Sequence, residues 1–326
     1  MKLIIQIPCY NEERTLPVTV RDLPQHIDSI DEIEVLIIDD GSTDRTAEVA
    51  RELGVHHIIR HTTNQGLARA FATGVDASLS LGADIIVNTD ADNQYRGEDI
   101  EKLVRPILQN RADIVIGDRQ TDTMADFSFL KKKLQKLGSW VVRKVSHADV
   151  KDATSGFRAY SREAALKLNV FSAFTYTLDT IIQAGQKNLI IESIPVHTNE
   201  KLRESRLFQG MVMYVRKSIG IIIRILSIYQ PFKVFSIVGG LTLFTGVLLG
   251  LRYIYEVFIV GITGRTYVQS VILSGTLLMV GTLIIAIGFV AYLISVNRRI
   301  SEDILVRVRK LEAVLHRGGE KSEKKS

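Results

Sequence analysis

The first 199 residues alternate between short apolar runs and longer stretches in which apolar residues recur every three or four positions. On this basis we predict five strands, at Leu3–Ile7, Glu34–Ile38, His56–Ile59, Ile85–Val87 and Ile114–Ile116. Between them we predict amphipathic helices that include Thr43–Leu53, Leu67–Leu79 and Ile100–Leu108. Strands that alternate with helices indicate βαβ units, so the pattern predicts an α/β domain with a largely parallel sheet.

The pattern changes near residue 210. The segment 210–229 is apolar but carries three basic residues, which favours a helix lying in the membrane interface. An ordinary amphipathic packing helix would show the same pattern. Two uncharged segments follow, 234–251 and 271–296, and the first alone would be about 27 Å long as a helix. That length is close to the hydrocarbon thickness of a bilayer, so we predict two membrane spans.

The distribution of charge predicts an orientation. The chain has 41 basic and 36 acidic residues, and nine Lys or Arg against five Asp or Glu lie in 297–326. The outer flanks of the two spans are more basic than the loop between them, which places the large N-terminal domain and both termini in the cytoplasm. A single cysteine, Cys9, excludes an internal disulfide and fits a reducing compartment. No zinc-ligand spacing or arginine–aromatic pattern favours nucleic acid as a partner.

Polar residues follow the fourth predicted strand. Asp90, Asp92 and Gln94 are spaced two apart and would point to one face if the extended conformation continued. Carboxylate and amide oxygens suit Mg²⁺ or Mn²⁺, and such ions often bind one or two carboxylates together with substrate phosphates. A solvated turn would favour the same residue types, so both interpretations stand at this point.

Two more polar clusters follow the first and second strands, at 8–13 and 39–44. Ligands of open α/β sheets bind outside the carboxyl ends of the strands, so the three clusters should share one cleft. Neither cluster is a glycine-rich dinucleotide turn or a P-loop. An aromatic ring, carboxylates and amides instead suit a base and a ribose. We also expect Ser42 or Thr43 to cap the helix that follows.

The ordered motifs resemble one known family. IPCYNEE, IDDGSTDRT, NQGLARAFATG, TDADNQ and GDR follow one another over most of the first 200 residues. The set resembles the family 2 glycosyltransferases, which have the Rossmann-like GT-A fold. TSGFRAYSREA at 154–164, RESR at 203–206 and the two spans narrow the resemblance to the polyprenyl-phosphate glycosyltransferases, which include dolichyl-phosphate mannose synthases and bacterial glucosyltransferases.

The resemblance implies a membrane-bound inverting glycosyltransferase. Its donor would be a GDP- or UDP-linked hexose-type sugar, its acceptor a dolichyl or undecaprenyl phosphate in the membrane, and its cofactor Mg²⁺ or Mn²⁺. It also suggests a homo-oligomer. The predicted parts are a cytoplasmic GT-A domain, interfacial helices, a transmembrane hairpin and a basic cytoplasmic tail, over residues 1–207, 208–230, 231–298 and 299–326.

The resemblance also implies roles for individual residues. The nucleotide pocket would contain Pro8, Tyr10, Asn11, Glu12, Asp39, Asp40 and Asp90. The metal and diphosphate site would contain Asp90, Asp92 and Gln94. The catalytic group would comprise Asp92, which is also the candidate base, with Arg119 and Arg203 holding phosphates. The acceptor phosphate would contact Lys131, Gln135, Ser205 and Arg206.

The chain departs from the family's pattern at the acceptor site. The family usually has an arginine and, four residues on, a serine, where this chain has Lys131 and Gln135. Lysine replaces the charge but not the bidentate fork of arginine, which leaves this contact open. Arg206 likewise stands where the family has lysine.

Two other functions share some of these features. A processive polysaccharide synthase has the same early motifs, but its Gln-x-x-Arg-Trp motif is absent, because the only tryptophan, Trp140, follows Leu-Gly-Ser. A non-catalytic scaffold that binds a nucleotide sugar or a lipid is the second alternative. The complete set of Asp90, Asp92 and Gln94 argues against the scaffold.

Overall fold

A computed structural model describes most of the chain. The described residues are 1–120, 150–169, 176–199, 220, 223, 224, 227, 229–259, 261 and 268–323, with the side chains of the last helix described as far as 309 and at 311. They belong to two compact units, Met1–Val215 with Asp303–Ser326, and Arg216–Glu302. The predicted interfacial segment 210–229 lies mostly outside the described residues.

Seven strands form one sheet in the first unit. The strands are β1 (Lys2–Cys9), β2 (Glu32–Asp39), β3 (His57–Arg60), β4 (Ile85–Asn88), β5 (Ile114–Asp118), β6 (Arg158–Ser161) and β7 (Ile191–Pro195). Their order across the sheet is β3-β2-β1-β4-β6-β5-β7, and every neighbouring pair is parallel except the two pairs that β6 makes. The predicted α/β domain with a largely parallel sheet is confirmed, and β6 and β7 add to the five predicted strands.

Among the described residues, six helices accompany the sheet. They are α1 (Leu16–Asp22), α2 (Thr46–Glu52), α3 (Leu67–Ser80), α4 (Asp99–Leu108), α5 (Arg162–Lys167) and α6 (Tyr176–Gln186). The expected cap of α2 is wrong. The helix begins at Thr46, whose backbone N–H donates to the Asp44 carboxylate at 3.0 Å, whereas Ser42 Oγ accepts from the Asn11 backbone at 3.0 Å.

The central strands of the sheet are buried on both faces, which explains their unbroken apolar runs. Leu3, Ile5 and Ile7 of β1 share a core with residues of α4, while the alternate side chains of β1 face α3. One polar pair interrupts this core: Gln6 Nε2 donates to Asn88 Oδ1 at 2.9 Å across the β1–β4 register. Buried polar groups are costly unless they are paired, so this bond fixes the register of the two strands next to the carboxyl end of β4.

The fully buried Arg158 anchors the start of β6. Its guanidinium donates to the carbonyl oxygens of Ser155 at 2.7 Å, Ala153 at 2.9 Å and Thr177 at 2.8 Å, and to Thr180 Oγ1 at 2.9 Å. A buried cation is tolerated only when its donors are satisfied. Arg158 therefore ties the segment before β6 to α6.

Two long apolar helices follow, α7 (Pro231–Phe258) and α8 (Val268–Glu323). Both are long and apolar enough to cross a membrane, and only 11% of the most apolar window of each is buried in the structure. These helices contain the two predicted spans. The charged stretch that follows the second span continues α8, and the boundary of the second unit falls at Glu302.

Small residues bring α7 and α8 into close contact. A Cβ atom added to Gly239 would lie 2.8 Å from the carbonyl oxygen of Gly281, and one added to Gly281 would lie 2.9 Å from that of Gly239. Ser274 Oγ donates to the carbonyl oxygen of Gly246 at 2.7 Å. Such backbone contacts are typical of helices that associate within lipid, where no hydrophobic effect drives them together.

We expect Gly281→Leu to destabilise this hairpin by about 1–3 kcal/mol, because the new side chain overlaps the backbone of α7. Thermal unfolding of the full chain in detergent, followed by helical circular dichroism, measures the effect. Gly240→Leu is the matched control, since a Cβ atom there meets nothing within 4 Å. An equal loss in both variants would contradict close packing at Gly281.

Candidate active site

Three polar loops follow the carboxyl ends of β1, β2 and β4. The first two are joined through Asn11, whose left-handed backbone (φ 55°) lets its Oδ1 accept from the Thr43 backbone at 2.8 Å. Glu12 donates its backbone N–H to Thr46 Oγ1 at 2.8 Å, and its carboxylate accepts from Thr15 Oγ1 at 2.7 Å. The polar atoms of Asn11 and Glu12 thus hold the loops together, while the Tyr10 ring is 39% exposed.

The two acids that end β2 have different surroundings. Asp39 is fully buried, its Oδ1 accepts from the Ser42 backbone at 2.9 Å, and its Oδ2 lies 3.1 Å from Arg60 Nε. That distance makes an ion pair, although Oδ2 accepts no hydrogen bond from the part of the chain that the structure describes. At the end of β2, the negative charge of Asp39 is therefore balanced by Arg60.

Asp40 turns away to hold a different loop. Its carboxylate accepts from the backbone N–H groups of Gln65 at 2.9 Å and Gly66 at 2.8 Å, and lies 2.7 Å from His61 Nδ1. The neighbouring Gly41 (φ 72°) allows this close approach, because a Cβ atom there would lie 2.5 Å from the backbone of Thr63. These contacts give Asp40 a structural role, and its predicted contact with a nucleotide stays a prediction.

The acidic loop after β4 is a turn. The strand ends at Asn88, a turn occupies 91 and 92, and Asn93 has a left-handed backbone (φ 54°). Asp92 Oδ1 accepts from the Gln94 backbone at 3.2 Å, as Asp residues often do in turns. The extended conformation therefore does not continue through positions 90, 92 and 94, because local hydrogen bonds of Asp and Asn compete with extended backbone.

The segment that follows β7 forms hydrogen bonds to the backbone of the acidic turn. Asn199 donates its backbone N–H to the carbonyl oxygen of Gln94 at 2.9 Å and its side-chain amide to that of Asn93 at 3.1 Å. Tyr95 and Thr198 form an isolated antiparallel bridge. The chain that leaves the sheet is thus hydrogen-bonded to the turn that carries the acids.

Asp90 packs against the segment that leads into β6. A Cβ atom added to Gly156 would lie 3.1 Å from Asp90 Oδ1 and 2.9 Å from Tyr176 Oη, so only glycine fits there without displacing a neighbour. Asn88 Nδ2 donates to the Gly156 carbonyl oxygen at 2.8 Å and to Tyr176 Oη at 3.1 Å. Burial, followed by the nearby charge of Asp90, raises the pKa of Tyr176 well above its ordinary value, so a neutral phenol faces that carboxylate.

The donor set of this turn fits a hard divalent cation. Asp90 and Asp92 are both half-buried carboxylates on one short loop. Within the described ranges, no group of three or more His, Cys, Asp or Glu residues is arranged around a metal position. Two carboxylates suffice for Mg²⁺ or Mn²⁺ when substrate phosphates and water complete the shell. The part of Gln94 in such a site stays a prediction.

Arg119, just after β5, is held by a carboxylate that the sequence did not reveal. Its Nε donates to Asp152 Oδ2 at 2.7 Å, and its Nη2 donates to Asp152 Oδ1 at 3.1 Å and to Thr154 Oγ1 at 2.9 Å. Burial acts to raise the pKa of Asp152, but its hydrogen bonds and ion pair with Arg119 hold it below the ordinary value. The only sequence signal for Asp152 is its place two residues before the TSGFR motif.

Five of the predicted site residues lie outside the described residues. They are Lys131, Gln135, Arg203, Ser205 and Arg206. Arg203 follows Asn199, the last described residue before the gap, by four positions along the chain.

The fold is that of solved sugar-nucleotide transferases. Glucosyl-3-phosphoglycerate synthase from Mycobacterium tuberculosis, solved with Mn²⁺, UDP-glucose and phosphoglyceric acid, matches 69% of this chain and 79% of its own with a TM-score of 0.54. The two sequences are 19% identical, so this likeness concerns the fold. It defines the fold class of the first unit as GT-A-like.

The family follows from the sequence match. Residues 4–168, half of the chain, match the domain described as glycosyl transferase family 2, and the chain belongs to that family. It is similar to a UDP-N-acetylglucosamine–dolichyl-phosphate N-acetylglucosaminyltransferase of Methanococcus voltae, at 31% identity over 59% of this chain and 83% of the relative. It is also similar to an undecaprenyl-phosphate mannosyltransferase of Micrococcus luteus, at 29% identity over 65% of this chain and 90% of the relative. The predicted family is confirmed, and the protein is a glycosyltransferase.

We expect the ion pair of Asp152 to contribute to stability in a pH-dependent way. Because the folded pKa of Asp152 is lowered, its contribution is complete above the unfolded value of about 3.9 and is lost as the pH falls through the folded value. Asp152→Asn should therefore lower the free energy of unfolding by about 2 kcal/mol at pH 7.

Urea unfolding of the full chain in detergent between pH 3 and 7 measures this difference, which should narrow below pH ~4. Asp28→Asn is the control, because the Asp28 carboxylate is exposed. A difference that stays constant or grows on acidification would contradict the ion pair.

Proposed function

We propose that this protein transfers one hexose-type sugar from a nucleotide diphosphate sugar to a polyprenyl phosphate. The observation that carries the proposal is the acidic turn of Asp90 and Asp92 beside the partly exposed cation of Arg119, in a chain that continues into two apolar helices. The named activities of the two relatives support the lipid phosphate as acceptor.

The donor would bind across the carboxyl ends of β1, β2 and β4. Tyr10 offers a ring face to a base, and Asp39 with Arg60 offers an acceptor and a donor at the end of β2. Asp90 and Asp92 would hold Mg²⁺ or Mn²⁺, which, when bound, neutralises charge on the departing diphosphate. Arg119 adds a fixed positive charge at the neighbouring strand ends.

The acceptor brings its own nucleophile. A polyprenyl phosphate has a second pKa of roughly 6 and is largely ionised at pH 7, so it needs little help from a general base. The harder task is to bring two anions together, and Arg119, Arg203 and Lys131 are proposed to do this. We propose a single in-line displacement with inversion at the anomeric carbon, with Asp92 as the base if one is used.

The membrane arrangement follows from the same proposal. The soluble donor meets a phosphate at the bilayer surface, so the catalytic domain and both termini are proposed to be cytoplasmic, with α7 and α8 in the cell membrane. A homo-oligomer is also proposed. The sugar and the base are left to experiment, since the relatives named above transfer mannose and N-acetylglucosamine.

The test is a panel of donors against two acceptors. The full chain in proteoliposomes is given radiolabelled GDP-mannose, UDP-glucose or UDP-N-acetylglucosamine, with dolichyl or undecaprenyl phosphate and Mg²⁺ or Mn²⁺. Label in an organic-extractable, acid-labile lipid supports the proposal. Label in an insoluble polymer would instead indicate a polysaccharide synthase, and no transfer from any donor would indicate a binding scaffold.

With the donor and acceptor that give transfer in this panel, we expect Asp92→Asn to lower kcat by on the order of a hundredfold or more, because it removes a negative charge from the leaving-group site. The asparagine oxygen can still accept from the Gln94 backbone, so the turn should be preserved. Asp28→Asn is again the control. Wild-type activity in Asp92→Asn would remove Asp92 from the mechanism.

We expect Gly156→Ala to lower kcat by about tenfold, because the added methyl group overlaps Tyr176 Oη and presses on Asp90. Gly240→Ala is the matched control, since its methyl group meets nothing within 4 Å. Unchanged kinetics in Gly156→Ala, with the protein folded, would show that Asp90 does not depend on this contact.

A further inference from the structure

The guanidinium of Arg119 is held on two of its three nitrogens. Nε and Nη2 both donate to Asp152, and Nη2 also donates to Thr154 Oγ1. Nη1 donates no hydrogen bond to any residue that the structure describes, so its two N–H groups are the ones available to a ligand. Arg119 can therefore donate to a ligand through Nη1 alone, and not through the bidentate pair of nitrogens that arginine often uses to bind a phosphate.

The holding groups are themselves fixed. Asp152 is 1% exposed, whereas the side chain of Arg119 is 18% exposed, so the carboxylate lies behind the cation as seen from solvent. Thr154 donates its hydroxyl to Asp152 Oδ1 at 2.9 Å and its backbone N–H to the same oxygen at 3.2 Å. The hydroxyl thus donates to the acid and accepts from the arginine, which closes a three-residue ring of hydrogen bonds.

The backbone on both sides is anchored as well. Arg119 directly follows β5, and Gly117 donates its backbone N–H to the Phe157 carbonyl oxygen at 2.9 Å. Arg158 holds the carbonyl oxygens of Ala153 and Ser155. The ring therefore joins two segments that the sheet already keeps in register.

Such an arrangement is costly for stability alone. A buried ion pair gains little over apolar residues of similar volume, because both charges lose their hydration. A free arginine, however, has about 2 kcal/mol of rotamer entropy to lose when it binds a ligand. Holding the guanidinium in place before the substrate arrives removes that loss from the transfer step.

We propose that Asp152 is a positioning residue, which together with Thr154 fixes Arg119 so that its Nη1 donates to a phosphate oxygen during sugar transfer. This inference rests on the proposed function. The phosphate belongs either to the donor diphosphate or to the acceptor lipid, and both present the same oxyanion chemistry. Asp152 itself does not touch the substrate.

The proposal predicts a split between affinity and rate. Asp152→Asn removes a negative charge beside Arg119, so the KM for either phosphate substrate should not rise. The same change releases the guanidinium from its bidentate partner, so kcat should fall by on the order of tenfold, the equivalent of one charged hydrogen bond. General damage to the fold would instead raise KM while lowering kcat.

The decisive measurement is a double-mutant cycle with Arg119→Lys, in the full chain reconstituted in proteoliposomes. Because lysine cannot use the bidentate partner, Asp152→Asn should change kcat less than twofold in the Arg119→Lys background. The substrate whose KM rises in Arg119→Lys, either the nucleotide sugar or the lipid phosphate, is the one whose phosphate accepts from Nη1. Losses that multiply in the double variant, or an unchanged kcat in Asp152→Asn, would overturn the proposal.

Two further variants keep the test sharp. Thr154→Val removes the hydroxyl group that bonds to Arg119 and Asp152, at an exposed position and without a change of charge. It should lower kcat severalfold, again only when Arg119 is present. This variant replaces Asp152→Asn if Asp152→Asn does not fold. Glu34→Gln is the matched control, because Glu34 also makes a largely buried ion pair, with Lys2 at 2.9 Å, at the opposite ends of the strands. Its kcat should match that of the wild type.

Failure of the proposed transfer activity can be distinguished from failure of the positioning role of Asp152. If the wild type transfers no sugar from any donor, the proposed function fails, and calorimetric binding of pyrophosphate then judges the positioning role. Arg119→Ala should weaken that binding about tenfold, while Asp152→Asn should not weaken it. Pyrophosphate binding that is unchanged in Arg119→Ala, or weakened in Asp152→Asn, would overturn the inference.

Discussion

The site depends on one constraint, the antiparallel insertion of β6 between β4 and β5. A parallel strand at that place would bring its carboxyl end to the edge where β4 and β5 end, whereas β6 brings its amino end. The segment 152–157 therefore enters the sheet beside both the acidic turn and Arg119. It supplies the carboxylate behind the arginine and the glycine against Asp90, and Arg158 holds it in place. One short stretch of chain thus sets the distance between an anionic and a cationic half of the site.

The fold could be predicted where the physics is local and repetitive. The central strands are buried on both faces, so their apolar runs are unbroken and visible in the sequence. The strand β6 was missed because it has four residues and begins with a charged one, Arg158. The burial of that residue depends on two carbonyl groups before β6 and on a carbonyl and a hydroxyl group of α6, which no sequence pattern reveals. The strand β7 is short and ends in proline, and its pairing with β5 joins residues 77 positions apart, such as Ile114 and Ile191, so no local pattern predicts it.

The site could be predicted as a set of residues but not as a set of roles. Motifs indicated which acids and amides follow the strand ends, and the described ones lie in the loops after β1, β2 and β4. They could not indicate that Asp40 holds the loop at 61–66, or that Asn11 joins two loops, because an acid that binds a ligand and one that accepts backbone N–H groups look the same in sequence. Asp152 was missed for the complementary reason: its partner lies 33 positions away.

The bridge between Tyr95 and Thr198 links two parts of the molecule that would otherwise respond separately. A ligand that shifted the acidic turn would therefore also shift the chain that leaves β7, as far as Asn199. If the proposed donor and acceptor bind on the two sides of this bridge, the effect of each on the affinity of the other is equal in size, because coupling between binding sites is reciprocal.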